Sequence, residues 1–381
     1  MTPAASTPRL DLDAVLDARD IVVCCGSGGV GKTTTAAALA LRAAERGRRV
    51  VVVTIDPARR LAQSLGLTEL DNVPRRVEGA GRNGGELHAM MLDMKRTFDE
   101  IVVAHADPAR AEQILTNPFY VSLSSSLAGT QEYMAMEKLG QLHASGEWDL
   151  VIVDTPPTRS ALDFLDAPER LTGFLDGRFI RLMLAPAKAG GRAYMKVINV
   201  GMQTFTGVIG RITGAALLND LREFFTAFET LFGGFRERAQ QTYDLLKADS
   251  TAFVVVAAPD PAALREASYF VERLSTDDMP LAGVVVNRVH RTGAPQLTAE
   301  RSVAAAEVLE QHGGAKLAAG VLRLHAERVA LAARERRIVA AFSAGLPAVP
   351  IVEVEAMATD VHDIDGLRQI GLELAGRQPA A

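Results

Sequence analysis

Cysteine is nearly absent from this chain of 381 residues: there are two, Cys24 and Cys25, side by side. Neighbouring strand residues point to opposite faces, so the pair reads neither as a disulfide nor as a two-thiolate metal site. Both are expected as small apolar strand residues. The seven histidines are scattered and show no H-x-x-x-H spacing, so no transition-metal site is assigned. An excess of positive charge is missing as well. The formal net charge is −5, which argues against nonspecific binding to DNA or to an anionic membrane as the main activity. Residues 1–20 lack the apolar core of a secretory leader, and a reducing, cytoplasmic setting is expected. No apolar run reads as a membrane span. The nearest, residues 200–218, has Arg211 as its only charge, but Gln203, threonines and glycines dilute it. It reads as a buried segment or an adaptable apolar surface. The remaining composition, 48% hydrophobic and 23% charged, is that of a globular protein with room for two or three domains, or for one large α/β unit with insertions.

The stretch that organises the chain is Gly26-Ser27-Gly28-Gly29-Val30-Gly31-Lys32-Thr33-Thr34. It matches the phosphate-loop pattern G-x-x-x-x-G-K-[ST] and occurs once. Residues 21–25 before it read as a buried strand, and residues 34–46 after it as an Ala- and Leu-rich helix closed by Gly47. Strand, glycine loop and helix are the context the pattern needs. Glycines let the backbone wrap a phosphate with its N–H groups, and the helix N-terminus adds partial positive charge. Lys32 is expected to reach the β- and γ-phosphates, and the Thr33 hydroxyl to ligate Mg²⁺.

Strand and helix signals then alternate. Strands are expected over residues 49–55, 86–93, 148–153, 252–257, 281–287 and 348–352. Helices are expected over 95–112 with an interruption near Asp107-Pro108, over 131–143 and 160–165, from Pro261 to Leu274, and over 299–311, 321–341 and 364–374. Residues 71–85 read as a surface loop. Alternation of this kind predicts a mostly parallel, doubly wound α/β sheet covered on both faces, with ligands at the carboxyl ends of its strands. The phosphate loop, Asp56, Asp154, Pro259 and Asn287 all fall at or just after such ends. Asp154 is the candidate acid for the Mg²⁺ shell, Asp56 for orienting or deprotonating an attacking water, and Asn287 for a base edge. Residues 167–248 break the alternation and read as an all-helical insertion. Within it, Leu217, Leu218, Leu221, Phe224, Phe225, Phe228, Leu231, Phe232 and Phe235 recur at spacings of three and four. This stripe suits either packing between insertion helices or an apolar groove wall for another protein's helix or a lipid-like ligand. The expected organisation is a core of residues 20–166 plus 250–376, helical segments at 95–145 and 167–248, and flexible termini at 1–19 and 377–381.

The sequences Ser27-Gly28-Gly29-Val30-Gly31-Lys32-Thr33-Thr34, Thr54-Ile55-Asp56-Pro57-Ala58 and Val153-Asp154-Thr155-Pro156-Pro157-Thr158 resemble the P-loop, switch I and switch II of the ArsA/Get3 family. These are P-loop ATPases of the deviant Walker A class, close to the MinD and ParA types. Val285-Val286-Asn287-Arg288 resembles the family's adenine-contacting strand end, and the helical insertion sits where the family places its client-binding subdomain. The resemblance implies an ATP- and Mg²⁺-dependent dimer whose helical subdomains build or dismantle an apolar groove, with Asp56 as catalytic base.

Three departures stand out. The class carries a second lysine near the start of the loop that reaches the partner's nucleotide; this chain has Ser27 there. A homodimer would lack that charge at both sites, whereas a heterodimer with a paralogue that keeps the lysine would retain it at the site of this chain. The cysteines of the family's arsenite pumps, the C-x-x-C zinc pair of its targeting members and any iron–sulfur cluster ligands are all missing. Arg159 follows switch II, where it reads as a surface residue or a local substitute charge. A MinD/ParA-like positioning role is the alternative, as is an ATP-binding regulatory subunit. Residues 364–374, with Arg368 as their only base, do not form the basic amphipathic helix the positioning role needs.

Overall fold

The structure is a computed structural model, and it describes residues 8–56, 60–117, 120–121, 130–156, 234, 237–312 and 315–376. The strands are β1 (Ile21–Gly26), β2 (Arg49–Thr54), β3 (Arg75–Arg76), β4 (Glu86–Met91), β5 (Leu150–Asp154), β6 (Thr251–Ala257), β7 (Leu281–Val289) and β8 (Ile351–Glu355). They form one eight-stranded sheet in the order β3-β4-β2-β5-β1-β6-β7-β8. Every pairing is parallel except that of β3 with β4. This is the mostly parallel α/β sheet of P-loop proteins that the alternation predicts. The central strands β1, β5 and β6 are buried along their whole length. Strands buried on both faces read as continuous Val and Ile runs rather than as alternating ones.

Ten helices are described. They are α1 (Leu12–Ala18), α2 (Lys32–Glu45), α3 (Arg60–Ser64), α4 (Met94–His105), α5 (Pro108–Thr116), α6 (Thr130–Ala144), α7 (Pro261–Thr276), α8 (Ala299–Gln311), α9 (Lys316–Gly345) and α10 (Ile364–Leu374). The alanine-rich α2 is buried on nearly all sides, because it lies against the sheet and α10 packs on its outer face.

The described residues correct several expectations. Residues 8–19 are not a flexible terminus. Asp11 caps α1 by accepting from Ala14 N at 3.1 Å, and Leu12 and Leu16 are fully buried. Asp13 and Asp17 pair with Arg42 and Arg46 on α2, one turn apart on each helix. A seven-residue helix is too short to show periodicity, which is why its pattern is silent in the sequence. Before it, Pro8 O accepts from Ile351 N and Arg9 bridges to Ile351, so the chain covers the edge of β8. β8 itself begins after Pro350 and runs to Glu355 rather than ending at Val352. It is an edge strand with one wetted face, so Glu353 fits its alternation. Inside the expected loop 71–85, Arg75 and Arg76 pair antiparallel with Ala89 and His88. The expected helix over 160–165, the phenylalanine stripe and residues 377–381 lie outside the described residues.

By packing, the chain falls into two compact units. One comprises Met1–Leu92, Gln141–Asp163 and Asp244–Ala381, and the other Asp93–Gly140 and Phe164–Tyr243. Within the second, Tyr120 is fully buried. Its hydroxyl donates to Asp99 at 2.6 Å, and its ring meets Phe98 edge-on. Glu137, also buried, accepts from Arg238 at 2.8 Å.

The docking of α1 is testable. Leu16→Ala empties a fully buried site and is expected to cost about 3 kcal/mol of unfolding free energy, read as a lower midpoint in urea. A loss below about 0.5 kcal/mol, the usual range for a surface substitution, would show that α1 is not part of the folded core.

Candidate functional site

β1 ends at Gly26, and the backbone there leaves no room for a side chain: a Cβ would lie 2.1 Å from Val256 O. The loop then turns through Gly29 and Gly31, at φ +77° and +94°, into α2. Gly31 is the N-cap of α2 and supplies no side-chain cap. A Cβ there would lie 2.2 Å from Asn287 Nδ2. The first N–H groups of a 14-residue helix therefore open onto a glycine loop, the arrangement that binds anions. Gly28 and Gly29 are exposed, Ser27 and Val30 buried, and Thr33 and Thr34 half-buried at the start of α2.

Lys32 is buried, and its Nζ donates to Ser27 O at 2.8 Å. Burial pushes its pKa down, and the nearby Asp154 pulls the other way. Asp154, at the end of β5, is completely buried. Its Oδ2 accepts from Thr33 Oγ1 at 2.8 Å and from Thr54 Oγ1 at 2.9 Å. Its Oδ1 is buried with no hydrogen-bond partner among the described residues. Burial raises the carboxyl pKa to about 6 against the opposing pull of the two hydroxyls. A buried oxygen without a partner needs a cation or a donor. A hydroxyl and a carboxylate are also the hard oxygen donors that Mg²⁺ takes from a protein while keeping water and phosphate oxygens. Thr33 and Asp154 fit that ion.

Asp56 lies two residues past β2 and is half-buried; its N–H donates to Thr54 Oγ1 at 3.2 Å. Thr54 thus ties the Asp56 backbone to Asp154. Sequence reasoning assigned Thr54 no role, although a polar residue closing a run of valines was its signal. Thr155 was missed too: its Oγ1 donates to Cys24 O at 2.9 Å and holds the exit of β5 over β1. Asn287, expected at a base edge, donates through Nδ2 to Val30 O at 2.9 Å and so grips the loop backbone. The structure therefore gathers Gly26 to Thr34, Asp56, Asp154 and Asn287 along one edge of the sheet. The Pro259 turn does local work instead, since Asp260 accepts from Ala262 N and Ala263 N and caps α7. Cys24 and Cys25 are buried and unpaired by disulfide, and burial raises both thiols, Cys25 to about 12. Among the described residues, no helix is long and apolar enough to cross a membrane.

A parallel sheet, a glycine loop running into a helix with its lysine and threonine, and a buried acid on the neighbouring strand define a P-loop nucleotide hydrolase. The family of anion-transporting ATPases matches residues 19–308. The chain belongs to this family, the ArsA ATPases. It is similar to the ATPase GET3 of Podospora anserina, at 27% identity over 73% of this chain and 76% of that protein. It is also similar to the ATPase ARSA2 of Chlamydomonas reinhardtii, at 27% identity over 75% of this chain and 73% of that protein. An ATPase ASNA1 homolog of Cryptosporidium parvum is 26% identical over 69% of this chain, which spans 63% of that protein's length.

An acid whose pKa is raised in the fold costs stability at pH values above that pKa, where its charged form must stay buried. Asp154→Asn is therefore expected to raise the nucleotide-free thermal midpoint, by about 1–2 kcal/mol in stability terms, while Mg²⁺-dependent phosphate release is lost. A variant less stable than the parent would show that the carboxylate is needed to hold the fold.

Proposed function

We propose that this chain hydrolyses ATP and uses the cycle to rearrange a dimer that handles an apolar client, such as a membrane-protein segment. One observation supports the chemistry most directly. Asp154 sits under the glycine loop with Thr33 on one oxygen and a buried, partnerless second oxygen. In this reading Gly26, Ser27, Gly28, Gly29, Val30, Gly31 and Thr34 cradle the phosphates with backbone N–H groups. Lys32 leaves Ser27 O to meet the β- and γ-phosphates, as its buried ammonium gains more from an anion than from a neutral carbonyl. Thr33 and Asp154 hold Mg²⁺, which when bound neutralises charge on the phosphate oxygens. Asp56 orients the attacking water and takes its proton. Asn287 keeps the loop in shape and offers Oδ1 to the base edge.

Ser27 shapes the partner proposal. Its hydroxyl carries no charge to a neighbour's nucleotide, so we favour a heterodimer with a paralogue that keeps the lysine, acting in the cytoplasm. The homodimer and the ATP-binding regulatory subunit are the competing outcomes. The measurement is steady-state ATPase with mass in solution, for this chain alone with Mg-ATP and mixed with such a paralogue. Lys32→Ala is expected to abolish whatever rate is present. Ser27→Lys is expected to raise the rate of the chain alone about a hundredfold. Equal rates with and without the paralogue, and no gain from Ser27→Lys, would overturn the heterodimer and leave a self-sufficient ATPase.

A further inference from the structure

Three carboxylates are buried among the described residues: Glu137, Asp154 and Glu335. Glu137 meets Arg238, and Asp154 takes the hydroxyls of Thr33 and Thr54. Glu335 lies on the long helix α9, 6% exposed, and no arginine or lysine among the described residues pairs with it. Both of its oxygens go to one residue instead. Oε2 accepts from His290 N and Oε1 from His290 Nδ1, each at 2.8 Å. A carboxylate that accepts from two N–H donors of one residue fixes both its backbone and its ring.

His290 follows the irregular end of β7. Pairing with β8 shifts register between Val286 and Val289, and within the shift Arg288 adopts φ +62°. That conformation is uncommon for a residue with a long side chain, and it persists only where the surrounding structure over-determines it. Consecutive strand residues point to opposite faces, yet here two neighbours reach the phosphate loop. Asn287 Nδ2 donates to Val30 O and Arg288 Nη1 to Gly29 O, both at 2.9 Å. The loop thus pins the irregular backbone on its upstream side.

The downstream side is pinned by β8 and α9. Ala356 N donates to Val289 O at 3.0 Å, and Glu335 takes His290. Earlier on the same face of α9, Arg328 Nε donates to Arg291 O at 3.0 Å and His325 Nε2 to Leu297 O at 3.1 Å. Of these three α9 residues only Glu335 is buried, and its partner stands nearest in the chain to Arg288.

Resting on the nucleotide-binding reading above, we propose that Glu335 is a positioning residue for the phosphate loop. By clamping His290 it holds Asn287 and Arg288 on the loop carbonyls. Carbonyls held outward keep the loop N–H groups turned toward a phosphate chain. The clamp raises the share of molecules whose loop is set to bind before any ligand arrives, and apparent affinity falls in proportion when that share falls. The effect is on the phosphate cradle, so it is the same for a nucleotide and for a bare phosphate chain.

The test is titration calorimetry on the full chain with inorganic pyrophosphate and with ADP, each with Mg²⁺. The variants are Glu335→Ala, Glu335→Gln and Val339→Ala. Val339, buried one turn further along α9, reports what lost packing in that helix does by itself. Glu335→Ala is expected to weaken both ligands by the same factor, about tenfold. Glu335→Gln keeps one acceptor oxygen for the two N–H groups and is expected to weaken both about threefold. Val339→Ala is expected to lower the thermal midpoint and to leave both ligands within about twofold. In a chain already carrying Arg288→Ala, which frees Gly29 O, adding Glu335→Ala is expected to cost only about threefold more. A loss in Val339→Ala equal to that in Glu335→Ala would assign the effect to helix packing and overturn the inference. So would fully additive losses in the double variant, weakening of ADP alone, or unchanged binding in Glu335→Ala. Should Glu335→Ala not fold, Glu335→Gln measured against Val339→Ala decides. A parent chain that binds neither ligand would overturn the nucleotide reading and this inference with it.

Discussion

The site is built around one costly placement, a carboxylate sealed inside the carboxyl edge of a parallel sheet. Asp154 has no exposure, and one of its oxygens has no partner among the described residues. Such a group persists only because the frame around it is rigid. The frame is a row of the sheet: Thr54 on β2 is paired with Asp154 on β5, which is paired with Cys24 on β1. Continuous Val and Ile packing on both faces leaves these strands no slack to slide or twist the acid outward. Two hydroxyls then hold one oxygen in place and leave the other for a ligand. In the proposed reading, stability is given up where the metal chemistry needs an unsatisfied group.

On the far side of the loop the same logic works with backbone carbonyls. A glycine loop can aim its N–H groups inward at a phosphate only if its carbonyls turn outward and are satisfied there. Two side chains do this, Arg288 on Gly29 O and Asn287 on Val30 O, while Ser27 O receives Lys32 in the ligand-free chain. The two come from β7, two strands away from β1 in the sheet. The loop is therefore not a free glycine turn. Its shape is set from β7 and from the first residue of its own helix, and Gly31 must be glycine partly because Asn287 presses against it.

Much of this was legible in the chain. The phosphate loop, the strand-ending acids Asp56 and Asp154, and most strands and helices follow from periodicity, glycine spacing and buried Val runs, which are local signals. What escaped was non-local. Thr54, Thr155 and Arg288 are ordinary residues at strand ends, and their partners lie between 100 and 259 positions away in sequence. Asn287 stands at the expected edge, and its grip on Val30 O is a contact the sequence does not signal. α1 was lost to its shortness, though Leu12 and Leu16 on one face and Asp13 and Asp17 on another were its signature once Arg42 and Arg46 are known to stand opposite.

These contacts also bear on Ser27. The loop uses the backbone of residue 27, whose carbonyl receives Lys32, and makes no structural use of a long side chain there. Replacing the class's lysine with serine therefore leaves the carbonyl contacts, the glycines and the Asp154 cluster untouched. In the proposed reading, binding and metal chemistry at the chain's own site are separable from the charge it offers to a neighbour's site, because different atoms of one residue carry them. A subunit can then lose the second while keeping the first, and the dimer it enters becomes asymmetric in chemistry even where its two folds are alike.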